Sequence, residues 1–382
     1  MTGLFICWGV ALCVAVRGSA QGNDQEQGHA VLEQQSIFRS GESGYNCFRI
    51  PALMVSARVV ILAFAEARKT NCEDDDNIDL VVKRSLDNGK TWGPLRVLED
   101  DGDKAVNQPT PVLDRQTGIL WLIFCKNNQR VFVTSSRDDG ISWSPPVDLT
   151  NQVTDPTWKY VGAGPGHAIQ LRNGRLLIPA WGDTSPGDAS WPRPNWGKIS
   201  FSFTFFSDDH GVTWKRGRPM YENLSDECMA VEAADGRVYM TLRPLRHVRN
   251  RRAYAWSDDG GYSWSQVQYD DALQDPHCQG SVAAFTSFGE RGKYRFVLAN
   301  PANEKDRVRM TVRVTEDDGR TWPVSKVLYK GQSAYSDLAV APDNTILCLY
   351  EADNYTQLRL ARFALGWLTD PSASAGNDPR LR

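Results

Sequence analysis

Ser85-Leu-Asp87-Asn-Gly89-Lys-Thr91-Trp92 is the first of five copies of one eight-residue phrase. The others are Ser136-Arg-Asp138-Asp-Gly140-Ile-Ser142-Trp143, Ser207-Asp-Asp209-His-Gly211-Val-Thr213-Trp214, Ser257-Asp-Asp259-Gly-Gly261-Tyr-Ser263-Trp264 and Thr315-Glu-Asp317-Asp-Gly319-Arg-Thr321-Trp322. All obey Ser/Thr-x-Asp-x-Gly-x-Ser/Thr-Trp, and their first residues stand 51, 71, 50 and 58 positions apart. Recurrence at such a period marks repeated supersecondary units. Each phrase reads as a tight turn, in which Asp accepts hydrogen bonds from nearby backbone, Gly supplies a positive φ and Trp buries a large ring under the turn. None of this requires a ligand, so the five are structural staples.

Between the staples lie apolar runs of strand length, such as residues 119–124, 131–133, 176–178, 296–298 and 346–350, bounded by Gly, Asn, Asp or Pro. No long helical period occurs beyond the N-terminal apolar run. Many short strands in units of about 50 residues predict an all-β fold, a β-propeller whose closed ring protects its sheet edges. Five staples require at least five blades, and a sixth without a staple is expected, making the propeller six-bladed.

Composition agrees with a large packed core: 382 residues, 41% hydrophobic, with 13 Trp. A net charge of −3, with Lys and Arg spread along the chain, argues against nucleic acid or an acidic membrane as partner. The local basic run of Arg243, Arg246, His247, Arg249, Arg251 and Arg252 reads as a solvated loop. Leu4 to Val16 is apolar and is followed by Arg-Gly-Ser-Ala-Gln, which predicts a signal peptide over residues 1–20, too short to span a bilayer comfortably. The chain is therefore expected in the secretory pathway, secreted or lysosomal, without stable membrane insertion. Beyond the leader, which holds Cys7 and Cys13, Cys47, Cys72, Cys125, Cys228, Cys278 and Cys348 match no zinc motif; they fit disulfides or buried thiols equally, with pairing open. Asn223-Leu-Ser225 and Asn354-Tyr-Thr356 are glycosylation acceptors on that route. Residues 369–382 read as a disordered tail, and no oligomeric state is specified.

Other segments carry the chemistry. Tyr45-Asn-Cys-Phe48-Arg49-Ile50-Pro51 precedes the first staple; Ala63-Phe-Ala-Glu66-Ala-Arg68 leads into the acidic run Glu73-Asp74-Asp75-Asp76. Asp226-Glu227-Cys228-Met-Ala-Val-Glu232 runs through the Asp235-Gly236 turn to Arg243, Asn300 to Arg313 includes Arg307-Val-Arg309, and Ser333-Ala-Tyr335 is followed by Leu349-Tyr-Glu351. In this order, over residues 35–368, these segments and the Asp-box staples resemble the sialidase family, whose members are six-bladed propellers. The staples alone are equally similar to those of non-enzymatic propellers such as sorting-receptor ectodomains, so the functional resemblance rests on the other segments.

The resemblance implies a set of roles. Arg49, Arg243 and Arg307 would hold the substrate carboxylate, Arg68 would be a further substrate arginine, and Glu351 would support Arg49. Tyr335 would be the nucleophile, Glu227 its base, and Asp74 the acid/base, with the register also open to Asp75 or Asp76. An Asp-Gly turn brings Glu227 back to the level of Arg243 and leaves Glu232 near the turn, which favours Glu227 and Arg243 over the rivals Glu232 and Arg246. Arg309, one alternation from Arg307 on the same strand face, competes with it. Guanidinium forks suit the carboxylate that sialic acid carries on its anomeric carbon. A neutral phenol avoids the repulsion that a carboxylate nucleophile would meet there. The implied activity is exo-α-sialidase hydrolysis of terminal sialic acids on glycoproteins, glycolipids and oligosaccharides, with retention through a covalent tyrosyl intermediate. No metal or organic cofactor is implied. A trans-sialidase and an inactive sialic-acid-binding propeller are the alternatives.

Overall fold

The computed structural model describes residues 32–74, 77–185, 199–221, 225–245, 249–285 and 294–372. The leader, most of the C-terminal tail, Asp75, Asp76, Asn223 and Arg246 lie outside the described residues. The fold is a six-bladed β-propeller built from antiparallel strands. The first blade comprises, from the axis outward, Cys47–Val55, Ile61–Arg68, Ile78–Ser85 and Arg96–Glu99. The second runs Val106–Leu113, Leu120–Lys126, Arg130–Ser136 and Val147–Asp148. In the third, Tyr160–Ala163 and Ile169–Gln170 together flank Leu176–Asp183, followed by Ser200–Ser207 and Lys215–Arg216. The fourth is Ser225–Glu232, Val238–Pro244, Arg251–Ser257 and Gln268–Gln274.

One long strand, Val324–Val340, serves two blades. Its first half closes the fifth blade, after Ser281–Phe285, Arg295–Pro301 and Val308–Thr315, pairing from Val314↔Val324 to Val308↔Gln332. Its second half is the innermost strand of the sixth, pairing with Ile346–Ala352 from Ser333↔Ala352 to Val340↔Ile346. Gln357–Phe363 follows, and the outer strand of that blade comes from the other end of the chain: Glu33–Arg39 pairs from Glu33↔Arg362 to Arg39↔Gln357. The ring is thereby sealed by hydrogen bonds between early and late sequence.

Each staple joins the third strand of its blade to the outer one. In the second, Ser136 Oγ donates to Asp138 Oδ1 (2.8 Å) and accepts from the Gly140 amide (2.8 Å), while Asp138 also accepts from the Ser142 amide (2.8 Å) and hydroxyl (2.5 Å). These bonds hold the half-buried carboxylates of Asp87, Asp138 and Asp209 at about 2, the Thr91 hydroxyl being the main cause at Asp87 and the Ser142 hydroxyl at Asp138, while at Asp209 desolvation is outweighed by the Thr213 hydroxyl and amide. The staple also grips the preceding blade: a Cβ on Gly140, which has φ 78°, would collide with Leu62, and one on Gly261, φ 86°, would fall 2.6 Å from Leu177. The sixth blade has no staple for a topological reason. Its outer strand is not reached by a turn from its third strand, so there is no loop for the phrase to occupy.

Packing between blades is aromatic and aliphatic. Ile37, Phe38, Phe48, Leu349 and Leu360 join the sixth blade to the first, and Val112, Ile123, Ile178 and Phe203 join the second to the third. The basic run departs from its reading as one solvated loop. Arg252 is fully buried, donating to Thr241 Oγ1 (2.8 Å) and pairing with Asp275 (3.0 Å), and Arg243 is also buried, whereas Arg249 is exposed. Strand alternation in Arg251–Ser257 sends one of two adjacent arginines inward. Cys47 and Cys72 form a disulfide (Cα–Cα 5.5 Å), while Cys125, Cys228, Cys278 and Cys348 are buried thiols; burial pushes Cys125 and Cys278 up to about 12. Among the described residues no group of acidic, Cys and His side chains is arranged to hold a metal.

Candidate active site

The leading ends of inner strands, the trailing ends of second strands and the leading ends of third strands share one face of a propeller. Arg49 and Glu227 are third in their inner strands; Glu66, Arg68, Arg243 and Glu351 lie at the ends of second strands, and Arg307 precedes a third strand. Tyr335 opens the inner half of the sixth blade. The fold thus gathers on one face side chains separated by up to 302 residues.

Glu351 is the hinge of this cluster. It is fully buried, and Arg49 donates to it through Nε (2.9 Å) and Nη2 (3.3 Å). The same carboxylate accepts the backbone amides of Ile50 (3.1 Å) and Tyr335 (3.1 Å). One acid therefore orients the guanidinium and fixes the backbone that carries Tyr335, and its satisfied lone pairs offset the cost of burying its charge.

Tyr335 Oη donates to Glu227 Oε1 at 2.6 Å and accepts from Arg243 Nη1 at 2.9 Å. Arg243 Nη1 also binds Glu227 Oε2 at 2.5 Å. The Arg49 and Arg307 guanidinium carbons stand 5.3 and 5.5 Å from the Tyr335 ring centroid. Burial pushes the Tyr335 phenol well above its ordinary value, helped by the Glu227 charge and opposed by Arg243 and Arg307. The phenol is thus neutral at rest and hydrogen-bonded to an acceptor able to take its proton.

On the other side of Arg49, the Asp74 carboxylate lies 2.9 Å from Arg68 Nη1 and 3.4 Å from Arg49 Nη1, with its side chain 51% exposed. Desolvation works against its charge, but Arg68, then Arg49 and Arg243, outweigh it and hold Asp74 below the usual aspartate value. A cavity of about 280 Å³ lined by Arg307, Ser333, Glu351 and Tyr355 borders the cluster. A larger one, about 740 Å³, sits at the opposite end of the axis among Leu53, His167, Glu232 and Leu338. The smaller cavity is the one where charged groups converge.

Similarity to known proteins identifies the family. A BNR repeat-like domain is matched over residues 60–348. The chain is 32% identical to mouse sialidase-2 over 376 residues, covering 88% of this chain and 96% of that protein. It is 30% identical to the Micromonospora viridifaciens sialidase over 370 residues, covering 89% of this chain but spanning only 55% of that protein. The chain belongs to the sialidase family. A solved Hadza microbial sialidase superposes with a TM-score of 0.78 at 25% identity, over 88% of this chain and 69% of that one. The family is one of glycoside hydrolases.

Within this sialidase, the side chains singled out by sequence fall into two groups. Arg49, Arg68, Asp74, Glu227, Arg243, Arg307, Tyr335 and Glu351 are brought together. Glu232 lies near the turn, where it accepts the Arg172 amide (2.8 Å), far from Tyr335. Arg309 does not share a face with Arg307: the register shifts between Val308 and Met310, Arg309 adopts φ 63°, and its side chain is exposed. Arg307 instead donates to Tyr355 Oη (3.3 Å) and the His277 carbonyl (3.2 Å).

Three further residues join the sialidase site. Glu66 is fully buried, accepting from Arg68 Nη2 (2.6 Å) and the Gln108 amide (2.9 Å), so it holds Arg68 as Glu351 holds Arg49. Tyr355 lies under Arg49, 4.3 Å from ring centroid to guanidinium carbon, and its hydroxyl meets Arg307. Asp226 is buried 3.7 Å from Arg243 Nε; desolvation, with a contribution from Glu227, raises it to about 7 against the pull of Arg243. For Glu66, the signal was its i, i+2 spacing to Arg68, which puts both side chains on one strand face. Tyr355 and Asp226 carry no comparable local pattern.

Proposed function

We propose that the chain is an exo-α-sialidase that hydrolyses terminal sialic acids from glycoproteins, glycolipids and oligosaccharides with retention of configuration. The observation that carries this reading is the Tyr335 hydroxyl held between Glu227 and Arg243 beside the Arg49 and Arg307 guanidiniums. Three fixed positive charges suit a carboxylate next to the reacting carbon, and a phenol hydrogen-bonded to a carboxylate suits attack on that carbon.

The roles follow in order. Arg49, Arg243 and Arg307 bind the substrate carboxylate, with Arg68 at the edge of the cluster. That carboxylate takes up part of the positive charge now compensating Asp74 and adds a negative charge beside it, so the Asp74 pKa rises on binding and the residue becomes a proton donor. Tyr335 Oη attacks the anomeric carbon as Glu227 takes its proton, and the glycosidic bond breaks with Asp74 protonating the leaving oxygen. Water then attacks the tyrosyl intermediate, giving its proton to Asp74, while Glu227 returns a proton to the departing phenolate. Two displacements restore the starting configuration. The Cys47–Cys72 bond supports a secretory destination, secreted or lysosomal, since disulfides persist in oxidising compartments.

Incubation with a fluorogenic aryl α-sialoside between about pH 4 and 8, where carboxylate acids and bases work, is expected to release sialic acid, appearing first as the α-anomer by proton NMR. First appearance of the β-anomer would refute retention, and no release at any pH would refute the enzyme. Tyr335→Phe should lose about 10³-fold or more in kcat while still binding sialic acid.

A further inference from the structure

We propose that the Cys47–Cys72 disulfide is a positioning element for the acid/base step, fixing the loop that presents Asp74 to the arginine cluster. The inference rests on the sialidase reading above. The loop from Ile61–Arg68 to Ile78–Ser85 is much longer than the two residues that suffice for a hairpin, and its described residues contain no regular secondary structure. Its slack is taken up at Cys72. That residue is bonded to Cys47, the first residue of the innermost strand, and its carbonyl accepts a hydrogen bond from Arg68 Nη1. Cys47 and Arg68 are direct cross-strand partners, so the disulfide carries the loop back over Arg68.

Both ends of the bond are two residues from a charged group of the site: Cys47 precedes Arg49, and Cys72 precedes Asp74. Asp74 itself is half exposed, so core packing does not hold its carboxylate 2.9 Å from Arg68 and 3.4 Å from Arg49. Misplacement of a reacting group by about 1 Å costs on the order of a hundredfold in rate. A covalent anchor two residues away limits that displacement. Cys47 and Cys72 are therefore positioning residues, acting through Asp74.

Proton donation matters in proportion to how poorly the leaving group departs unaided, and this separates positioning from general damage. A 4-nitrophenyl α-sialoside releases a stable phenolate, whereas 3′-sialyllactose must release a sugar alkoxide. The test compares kcat/KM, which reports the steps up to leaving-group departure and not the later hydrolysis common to both substrates, for the wild type, the double variant Cys47→Ala/Cys72→Ala, and the wild type treated with dithiothreitol. There the dithiol supplies two electrons, the S–S bond becomes two thiols and the reagent closes to its own cyclic disulfide. Thermal unfolding establishes that each sample is folded at the assay temperature, and reduction of prefolded enzyme serves if the variant does not fold. The expected result is a loss of about tenfold or more on sialyllactose with less than about threefold on the nitrophenyl substrate, reversed in the reduced sample by reoxidation. Asp74→Asn should show the same split more strongly. Equal losses on the two substrates, or none on either, in an enzyme whose Asp74→Asn variant does show the split, would overturn the positioning role alone. A wild type inert on both would overturn the sialidase reading and the tether with it.

Discussion

At the scale of single residues, Glu351 and Asp226 show two opposite ways of burying a carboxylate. Glu351 meets a bidentate guanidinium and two backbone amides, and Glu351→Gln should leave Arg49 without its buried counter-ion, raising KM for sialosides by about tenfold or more, measured by steady-state kinetics. Asp226 is less well compensated, and its raised value means that folding favours its protonated form. Its contribution is fully present below the unfolded-state value of about 4 and is lost as pH rises toward about 7. Asp226→Asn should therefore gain stability relative to the wild type between pH 4.5 and 7.5, read from urea midpoints at the two values; no change in the difference would refute the assignment. Such residues also mark the limit of what sequence discloses. Glu227 can be chosen over Glu232 because the Asp235-Gly236 turn dictates what lies opposite Arg243. Tyr355 cannot be found that way: its partners Arg49 and Arg307 belong to other blades, and only closure of the ring sets it between them.

Among the elements, the staple is the most fully legible because its logic is local. Every hydrogen bond within Ser136–Ser142 connects residues at most four apart, so the phrase specifies its own turn. What the phrase does not disclose is its grip on the preceding blade. Gly140→Ala combines a strained φ with a collision against Leu62 and should cost about 2–4 kcal/mol. Gly236→Ala, at φ 92° but with nothing within 4 Å of its Cβ, should cost only about 1–2 kcal/mol. Chemical denaturation of the two variants separates conformational strain from inter-blade contact, and equal losses would deny the contact any weight. The staple aspartates carry an acid signature as well. Their folded values near 2 lie below the unfolded value, so the stability they contribute is present above about pH 4 and disappears as pH falls through 2, which acid titration of the unfolding midpoint should follow.

For the whole molecule, spacing gives a minimum of five blades and leads one to expect a sixth, but it does not disclose the mode of closure. Glu33–Arg39 has no repeat signature, and its role follows only from its pairing with Gln357–Phe363. Phe38, fully buried 5.3 Å from the Phe48 ring, locks that strand onto the first blade. Phe38→Ala should lower stability by about 3–5 kcal/mol although it lies far from Tyr335 in sequence, and a urea unfolding curve moved by under about 1 kcal/mol would show that the seam is not a principal support. Closure also sets a timetable for biosynthesis. Glu33 and Arg362, which face each other across the seam, are 329 residues apart. At about 5–20 residues per second, a nascent chain carries its first strand unpaired for roughly 15–65 s before the partner is made. Throughout that interval the strand is an open edge available to other chains. A message truncated anywhere before Gln357 would then yield a ring that never shuts, and its fate would be capture by chaperones or aggregation rather than a partly active enzyme.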